Sequence, residues 1–204
     1  IFRFYSLQIL NVLKNIRPCK LGNKKASDII FATFRLINTI IVATPVNMDI
    51  EEDVVNFTNM FKHNIGQIIK TNCKRIIVLG MGGSGISGDI ASTLCDAASS
   101  VQVTSWKDYG LPKWATKNDC VICISYSGNT EETLSGAQSA IELGCEISAI
   151  TTGGKLEKII EQCGGEVIKI ETGHQPRAAL PLLLTPLLEK IGIDNLDKQI
   201  NEIR

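Results

Sequence analysis

Short apolar runs alternate with amphipathic stretches along most of this 204-residue chain, and this alternation constrains the fold more than any other feature. Most of the runs have strand length and are almost continuously apolar, which is typical of strands buried on both faces. They occupy residues 75–79, 101–105, 120–124, 146–150 and 166–170. Strands that alternate with helices predict a parallel sheet with right-handed crossovers. We therefore predict an α/β fold, with a doubly wound five-stranded parallel sheet sandwiched by helices.

Helical periodicity of the apolar residues fills the segments around these strands. The predicted helices span 51–70, 85–98, 130–143, 155–163 and 177–191. Gly144 is predicted to end the third helix, since glycine adopts the left-handed conformation that closes a helix. Pro181 and Pro186 are predicted to kink the last helix.

The chain divides into two parts that differ in charge, and the first methionine, Met48, lies at their boundary. Residues 1–47 hold seven Lys and Arg against one acid, whereas the remainder holds 14 bases against 20 acids. We predict that 1–47 is an N-terminal extension, either translated from upstream sequence or poorly ordered. Residues 48–192 form the predicted domain, and 193–204 have the pattern of a linker or the start of another helix.

Net charge and the length of the apolar segment near the N-terminus argue against two classes of partner. The formal net charge is zero, which argues against a general nucleic-acid-binding surface. The apolar segment 29–43 is shorter than the roughly 20 residues of a membrane helix. We expect neither a nucleic acid nor a membrane as partner.

The seven cysteines are odd in number and no secretory cleavage site precedes them. This usage predicts reduced thiols and a cytoplasmic protein. Cys120-x-x-Cys123 is the one close pair, and it lies within an apolar run. A structural zinc site would need a second such pair, so buried core thiols are favoured over metal or redox chemistry.

A glycine-rich segment follows the first predicted strand, Gly80-Met-Gly-Gly-Ser-Gly85. Ligands of doubly wound sheets bind outside the carboxyl ends of the strands, which makes this segment a candidate binding loop. Its glycines allow close approach to the backbone, and the helix that follows offers N–H groups to an anion. The segment also fits the dinucleotide pattern G-x-G-x-x-G. That pattern requires an acid near the end of the second strand, but the strand ends Val103-Thr-Ser105 and the nearest acid is Asp108. The missing acid argues against a nicotinamide cofactor.

A second candidate loop, Ser125-Tyr-Ser-Gly-Asn-Thr-Glu-Glu-Thr133, follows the third predicted strand. Three of its hydroxyl groups surround a glycine at a helix start, and hydroxyls with backbone N–H groups bind phosphate without lysine or metal. Asn129 and Glu132 have the spacing of a capping box, so helix capping is the alternative. A cap needs one hydroxyl rather than three. Two such loops at adjacent strand ends therefore favour an anion site.

With these residues the chain resembles a sugar isomerase (SIS) domain, whose phosphate loop is Ser-x-Ser-Gly-x-Thr-x-Glu-Thr. More narrowly, about residues 48–200 are similar to the bifunctional phosphoglucose/phosphomannose isomerases of archaea and some bacteria. The motifs that match are Gly80-Met-Gly-Gly-Ser-Gly-Ile-Ser-Gly-Asp89, Ser125-Tyr-Ser-Gly-Asn-Thr130, Tyr109-x-Leu-Pro112 and Gln175-Pro-Arg-Ala-Ala179. The resemblance implies a three-layer fold of flavodoxin or Rossmann type. It also implies interconversion of glucose 6-phosphate or mannose 6-phosphate with fructose 6-phosphate through a cis-enediolate, without metal or organic cofactor.

The resemblance further implies a role for each matching residue. The phosphate would be held by Ser125, Ser127, Gly128, Asn129 and Thr130. Ser84, with the backbone of Gly82 and Gly83, would hold the sugar phosphate from the other side. Arg177 would stabilise the enediolate, because a guanidinium stays charged and offers planar donors to paired oxygens.

Members of this family carry their catalytic glutamate base, and the histidine and lysine of ring opening, in a second SIS subdomain. This chain stops at Arg204, so we expect the N-terminal half of an isomerase that is a homodimer when complete. Glu131, Glu132 and His174 are the residues that could substitute as base. The two glutamates suit the helix start, where the dipole favours acids, and His174 fits a loop.

Two other functions stay open from sequence. The chain could be a non-catalytic SIS domain that senses a phosphosugar, although its basic N-terminal region holds no recognisable helix-turn-helix. It could also be a one-domain isomerase of another sugar phosphate, with its base supplied across a dimer interface. Coding sequence beyond Arg204 would distinguish these functions from the first, since a second glycine-rich strand–helix unit there favours the two-subdomain isomerase.

Overall fold

A computed structural model describes residues 71–98, 101–175 and 179–192. These residues form five strands, β1 Arg75–Leu79, β2 Gln102–Trp106, β3 Cys120–Ser125, β4 Glu146–Thr151 and β5 Glu166–Lys169. They also form four helices, α1 Gly82–Ala98, α2 Glu131–Leu143, α3 Gly154–Gln162 and α4 Leu180–Lys190. The predicted helix 51–70, the predicted extension 1–47 and the predicted linker 193–204 lie outside the described residues.

All five strands pair in parallel in the order β2-β1-β3-β4-β5. The chain passes outward from β1 to β2, then crosses back to place β3 on the other side of β1. The crossover direction therefore reverses between β1 and β3, which makes their carboxyl ends the topological switch point. This arrangement confirms the prediction of a doubly wound five-stranded parallel sheet.

Helices cover both faces of the sheet. On one face α2 and α3 pack through Ala137, Ala140 and Leu156 against strand residues that include Ile77 and Val121. On the other face α1 packs against α4 and β2. Ten of the eleven residues of α4 are buried, as expected for a helix that is apolar on nearly every side. The buried core thus lies within both helix–sheet layers.

Two helix starts differ by three residues from those predicted. The first helix begins at Gly82 rather than Gly85, because the Gly85 N–H donates to the Met81 carbonyl at 3.1 Å and closes a helical turn inside the glycine-rich segment. The last helix begins at Leu180. Pro181 therefore lies in its first turn, where no backbone N–H is needed, and the prediction that Pro181 kinks the helix is wrong. Pro186 lies inside the helix.

The cysteines follow the sequence prediction only in part. Cys120, predicted as a reduced core thiol, forms a disulfide with Cys73, and the two Cα atoms are 6.0 Å apart. Cys123 is a free buried thiol as predicted, and burial raises its pKa far above the ordinary value. The two cysteines of the Cys-x-x-Cys pair cannot face the same layer, because residues three apart on a strand point to opposite faces.

None of the helices within the described part of the chain has both the length and the apolar character that crossing a bilayer requires.

Candidate functional site

Both loops singled out in the sequence lie at the switch point of the sheet. The glycine turn, residues 80–85, follows β1, and the hydroxyl loop, residues 125–130, spans the end of β3 and the start of α2. β1 and β3 are hydrogen-bonded neighbours. The backbones of the two loops approach closely, since a Cβ at Gly80 would lie 3.1 Å from the Ile124 carbonyl oxygen. The fold therefore brings the two candidate anion-binding loops together.

Buried Ser125 and half-buried Thr130 form the base of the hydroxyl loop. Their hydroxyl oxygens are 2.9 Å apart, and Ser125 Oγ accepts a hydrogen bond from Gly128 N at 3.1 Å. Thr130 is the N-cap residue of α2, yet its side chain accepts no hydrogen bond from the first turn of that helix. These hydroxyls are thus not used as a helix cap, and the first-turn N–H groups of α2 receive no acceptor from Thr130.

Asn129 caps a different helix from the one predicted. Its Oδ1 accepts from Lys155 N at 3.2 Å, in the first turn of α3, whose own N-cap residue Gly153 has no side chain. Its Nδ2 donates to the Ser127 carbonyl at 2.9 Å. The predicted capping box with Glu132 is wrong, because the N-cap of α2 is Thr130 rather than Asn129.

Ser127 is the exposed hydroxyl of the loop. Its Oγ accepts from Asn129 N at 3.3 Å, so the hydroxyl hydrogen can donate to a ligand. Ser127 therefore lies at the surface of the loop, whereas Ser125 is buried and Thr130 half-buried.

Gly128 is needed where the hydroxyl loop meets the turn after β4. Its φ of 65° is in the left-handed region, and a Cβ there would lie 1.7 Å from the Gly153 carbonyl oxygen. The Gly128 carbonyl also accepts from Leu156 N at 2.9 Å. Sequence reasoning missed this supporting turn, residues 151–154, for which the consecutive glycines 153 and 154 were the available signal.

The glycine turn presents backbone rather than side chains. Gly82 has a φ of 53° and is exposed, Gly83 is half-buried, and Ser84 is buried in the first turn of α1. A Cβ at Gly85 would lie 2.7 Å from the Gly80 carbonyl oxygen. N–H groups in the first turn of a helix have no acceptor within it, so this turn offers donors to an anion.

A third segment, the residues just after β2, contacts the glycine turn and the start of α2. The Lys107 side chain passes the glycine turn, with its Cε 3.0 Å from where a Cβ of Gly85 would lie, and its ammonium group pairs with Asp89 of α1. The Tyr109 hydroxyl donates to Glu131 Oε2 at 3.4 Å. Lys107 is a cation near the candidate site that sequence reasoning missed, and its position one residue past a strand end was the available signal.

Acids concentrate at the start of α2. Glu131 and Glu132 both lie in its first turn, as predicted. Their carboxylates, Glu132 most of all, raise the pKa of the Tyr109 phenol above its usual range. Tyr109 is therefore a neutral hydrogen-bond donor at physiological pH.

The segment before the predicted catalytic arginine is tied to the hydroxyl loop. His174 N donates to the Tyr126 hydroxyl at 2.9 Å, and His174 Nε2 lies 3.7 Å from Glu171 Oε2. Arg177 itself lies outside the described residues. The structure thus brings together the predicted phosphate-binding residues of both loops and leaves the position of Arg177 as a prediction.

Comparisons with known proteins agree with this geometry. Residues 71–172 match the model of the SIS domain family. A bifunctional phosphoglucose/phosphomannose isomerase of Caldicellulosiruptor bescii is 41% identical over 162 residues, covering 74% of this chain and 48% of the relative. A D-glucosamine-6-phosphate 4-epimerase of Sulfolobus acidocaldarius is 38% identical over 121 residues, covering 59% of this chain and 38% of the relative. The chain spans about half the length of these relatives or less.

A solved structure shares the fold. The sugar isomerase domain of an RpiR transcription factor from Sphaerobacter thermophilus superposes with a TM-score of 0.53 at 16% identity, covering 75% of this chain and 92% of that chain. The match of residues 71–172, half of the chain, to the family model shows that the chain belongs to the SIS domain family.

Proposed function

We propose that this chain is the phosphosugar-binding half of an aldose–ketose isomerase that interconverts glucose 6-phosphate and mannose 6-phosphate with fructose 6-phosphate. The observation that carries the proposal is the meeting of the glycine turn and the hydroxyl loop at the β1/β3 switch point. Similarity to isomerases of these substrates supports the choice of reaction. We further propose a cytoplasmic homodimer with a second SIS subdomain encoded beyond Arg204.

Phosphate binding in this proposal belongs to the hydroxyl loop. Ser127 donates from the loop surface, and the first-turn N–H groups of α2, which Thr130 does not cap, supply backbone donors. Asn129 holds the loop against α3, because its amide oxygen accepts from Lys155 N and its amide nitrogen donates to the Ser127 carbonyl. The loop is therefore rigid before substrate arrives, which limits the entropy lost on binding.

The glycine turn takes the other side of the substrate. Exposed Gly82 and half-buried Gly83 let the sugar approach the backbone, and Ser84 lies in the same turn. With the phosphate anchored at one end, C1 and C2 are positioned for proton transfer at the other. We assign stabilisation of the enediolate to Arg177 and expect the base outside this chain.

Titration calorimetry with fructose 6-phosphate tests the binding role. We expect the 204-residue chain to bind the sugar phosphate, and Ser127→Ala to weaken binding by about tenfold, the effect of losing a charge-assisted hydrogen bond of roughly 1.5 kcal/mol. Ser139→Ala, in α2 and about two turns beyond the start of that helix, should bind as the unaltered chain does. Equal affinities for the unaltered chain and Ser127→Ala would rule out the assignment of Ser127.

Steady-state kinetics test the catalytic role in the gene product that includes any coding sequence beyond Arg204. Arg177→Ala should lower kcat by about 10²–10³, the usual cost of one donor to a developing oxyanion. Loss of binding with kcat intact would contradict the role of Arg177.

Because one relative is a D-glucosamine-6-phosphate 4-epimerase, the same assays should also test glucosamine 6-phosphate as a substrate. Formation of both glucose 6-phosphate and mannose 6-phosphate from fructose 6-phosphate would support the bifunctional reaction. Epimerisation of glucosamine 6-phosphate without isomerisation would replace it. Binding without any turnover would leave a phosphosugar sensor.

A further inference from the structure

Two cysteines and a glutamate meet at the amino-terminal edge of the sheet, the end opposite the candidate phosphosugar site. Cys73 precedes β1, Cys120 is the first residue of β3, and Glu146 is the first residue of β4. Cys120 and Glu146 are direct partners in the parallel register of β3 and β4. Three consecutive elements of the sheet thus each bring one ligand-type side chain to the same edge.

The distances are those of a cluster. The two Sγ atoms and a carboxylate oxygen of Glu146 all lie within 4.8 Å of one another. Cys73 Sγ is 3.9 Å from Glu146 Oε2. The two sulfurs form a disulfide, so the fold already places the side chains of Cys73 and Cys120 in contact.

Thr71 contacts all three residues of the cluster. Its hydroxyl donates to Glu146 Oε1 at 3.1 Å and accepts from Cys73 N at 3.3 Å, and its Oγ1 is 3.2 Å from Cys120 Sγ. Thr71 N in turn donates to the Lys190 carbonyl at the end of α4. Hydrogen bonds of this kind fix ligand orientation in metal sites.

The carboxylate of Glu146 is exposed, and its Oε1 accepts from the Thr71 hydroxyl. Sulfurs joined in a disulfide carry no proton, so neither can donate to Glu146 Oε2. Two thiolates with one carboxylate are instead ligands that Zn²⁺ binds well. An open cavity of about 690 Å³, lined in part by Cys73 and Glu146, gives an ion a path to the cluster and room for a water as fourth ligand.

The charges around the cavity permit a cation there. Of its two positively charged lining residues, Arg75 is held in a two-pronged ion pair by Asp119, at 2.5 and 2.6 Å. Lys74 is exposed, so its ammonium group is hydrated. A carboxylate oxygen of Glu146 supplies negative charge within 4.8 Å of both sulfurs.

We propose that Cys73, Cys120 and Glu146 bind a thiophilic divalent cation, with Zn²⁺ the best match, when the disulfide is reduced. A dithiol reductant supplies two electrons and two protons, the S–S bond breaks to two thiols, and the reductant becomes its own disulfide. Zn²⁺ then forms two S–Zn bonds and a bond to the carboxylate, and the two thiol protons are released to solvent. The ion would tie the segment before β1 to β3 and β4, without taking part in the isomerase reaction.

Metal uptake by the reduced chain tests the proposal. The 204-residue chain is reduced with a dithiol, freed of reductant under anaerobic conditions and dialysed against Zn²⁺ or Co²⁺. We expect one ion per chain, a thiolate-to-cobalt charge-transfer band and the d–d absorption of a tetrahedral site. Cys73→Ser should weaken binding by at least about 100-fold and Thr71→Val by about tenfold, as for lost ligands and their supporting groups. The unreduced chain should bind neither ion.

Two variants separate this cluster from other thiols. Cys163→Ser removes the one exposed free cysteine of the described residues and should leave uptake unchanged, whereas Glu146→Gln should weaken uptake without abolishing the charge-transfer band. Substitution of buried Cys120 could prevent folding, which circular dichroism would report. Cys73 is only half-buried, so Cys73→Ser still tests whether the cluster binds the ion. Absence of uptake by the reduced chain, or full uptake by Cys73→Ser, would overturn the proposal.

Discussion

Gly128 is the residue of the hydroxyl loop whose identity is most narrowly constrained. A side chain there would have to adopt a φ of 65° and overlap the Gly153 carbonyl oxygen, 1.7 Å from its Cβ. The backbone strain alone costs about 1–2 kcal/mol. The overlap adds to it, because the neighbouring atom is backbone and must move with the turn that carries it.

We expect Gly128→Ala to lower the free energy of unfolding by at least about 2 kcal/mol in urea denaturation. Gly144→Ala is the matched control. Gly144 also has a positive φ, of 79°, but nothing lies within 4 Å of its added Cβ, so only the strain of about 1–2 kcal/mol applies. Equal losses of stability for the two variants would contradict the close packing of the hydroxyl loop against the turn at residues 151–154.

Tyr109 reports the electrostatic potential at the start of α2. Negative charge beside a phenol disfavours the phenolate, so Glu132 and Glu131 raise the pKa of Tyr109 above its usual value near 10. We therefore expect Glu132→Gln to lower the pKa of Tyr109 towards that value. Ultraviolet titration, with Tyr109→Phe subtracted to isolate the signal, measures the change. Glu142→Gln, at the far end of the same helix, should not alter the titration, and an unchanged curve for Glu132→Gln would refute the assignment.

Between elements, Asn129 links the hydroxyl loop to the start of α3, which follows it in sequence only after α2 and β4. Its amide group donates to Ser127 and accepts from Lys155, so it closes the hydroxyl loop and caps α3 together. A side-chain cap is worth about 1 kcal/mol. The rigidity of the candidate phosphate site thus depends on a contact made 26 residues further along the chain.

Asn129→Ala should reduce the free energy of unfolding by about 1 kcal/mol and speed amide hydrogen exchange at the start of α3. Asn129→Asp keeps the acceptor for Lys155 N and should retain most of the stability. Gln138→Ala, which removes an exposed amide on α2, provides the control. Unchanged exchange at Lys155 and Leu156 in Asn129→Ala would exclude the cap.

The elements themselves were largely accessible from sequence. Each strand boundary was predicted to within one residue, because continuous apolar runs such as Val121–Ile124 have no alternative to a buried strand here. The start of α1 was missed by three residues. Glycine has low helix propensity, and the turn at Gly82 is closed by a backbone hydrogen bond that no sequence pattern encodes.

Non-local contacts were beyond sequence reasoning. The sequence pointed to both binding loops through glycine and hydroxyl content, but Asn129 was assigned to the wrong helix because its partner Lys155 is reached only through tertiary packing. The same holds for Cys73 and Cys120, which lie 47 residues apart. Spacing within one segment cannot reveal which strand ends become neighbours.

At the scale of the whole molecule, the parallel sheet gives its two ends different chemistry. The carboxyl ends of β1 and β3 carry backbone donors and hydroxyls, whereas the amino-terminal edge carries Cys73, Cys120 and Glu146. A ligand that binds the folded chain more tightly than the unfolded chain, at either end, stabilises the fold. The two proposed sites can thus be tested independently of each other.

We expect fructose 6-phosphate to raise the free energy of unfolding of the 204-residue chain by about 2.7 kcal/mol at 100 times its Kd. Urea denaturation with and without the sugar phosphate measures this increase. Fructose, which lacks the phosphate, should produce almost none of it at the same concentration. Equal stabilisation by fructose would contradict a site built around phosphate.

The most direct test of a single phosphosugar site at the β1/β3 switch point is a ¹H–¹⁵N chemical-shift titration with fructose 6-phosphate. We predict that the amides of residues 82–84 and 127–131 shift together along one saturating curve, while Cys73 and Glu146 at the opposite edge stay unchanged. Shifts confined to one of the two loops, or centred at the amino-terminal edge, would contradict the assignment.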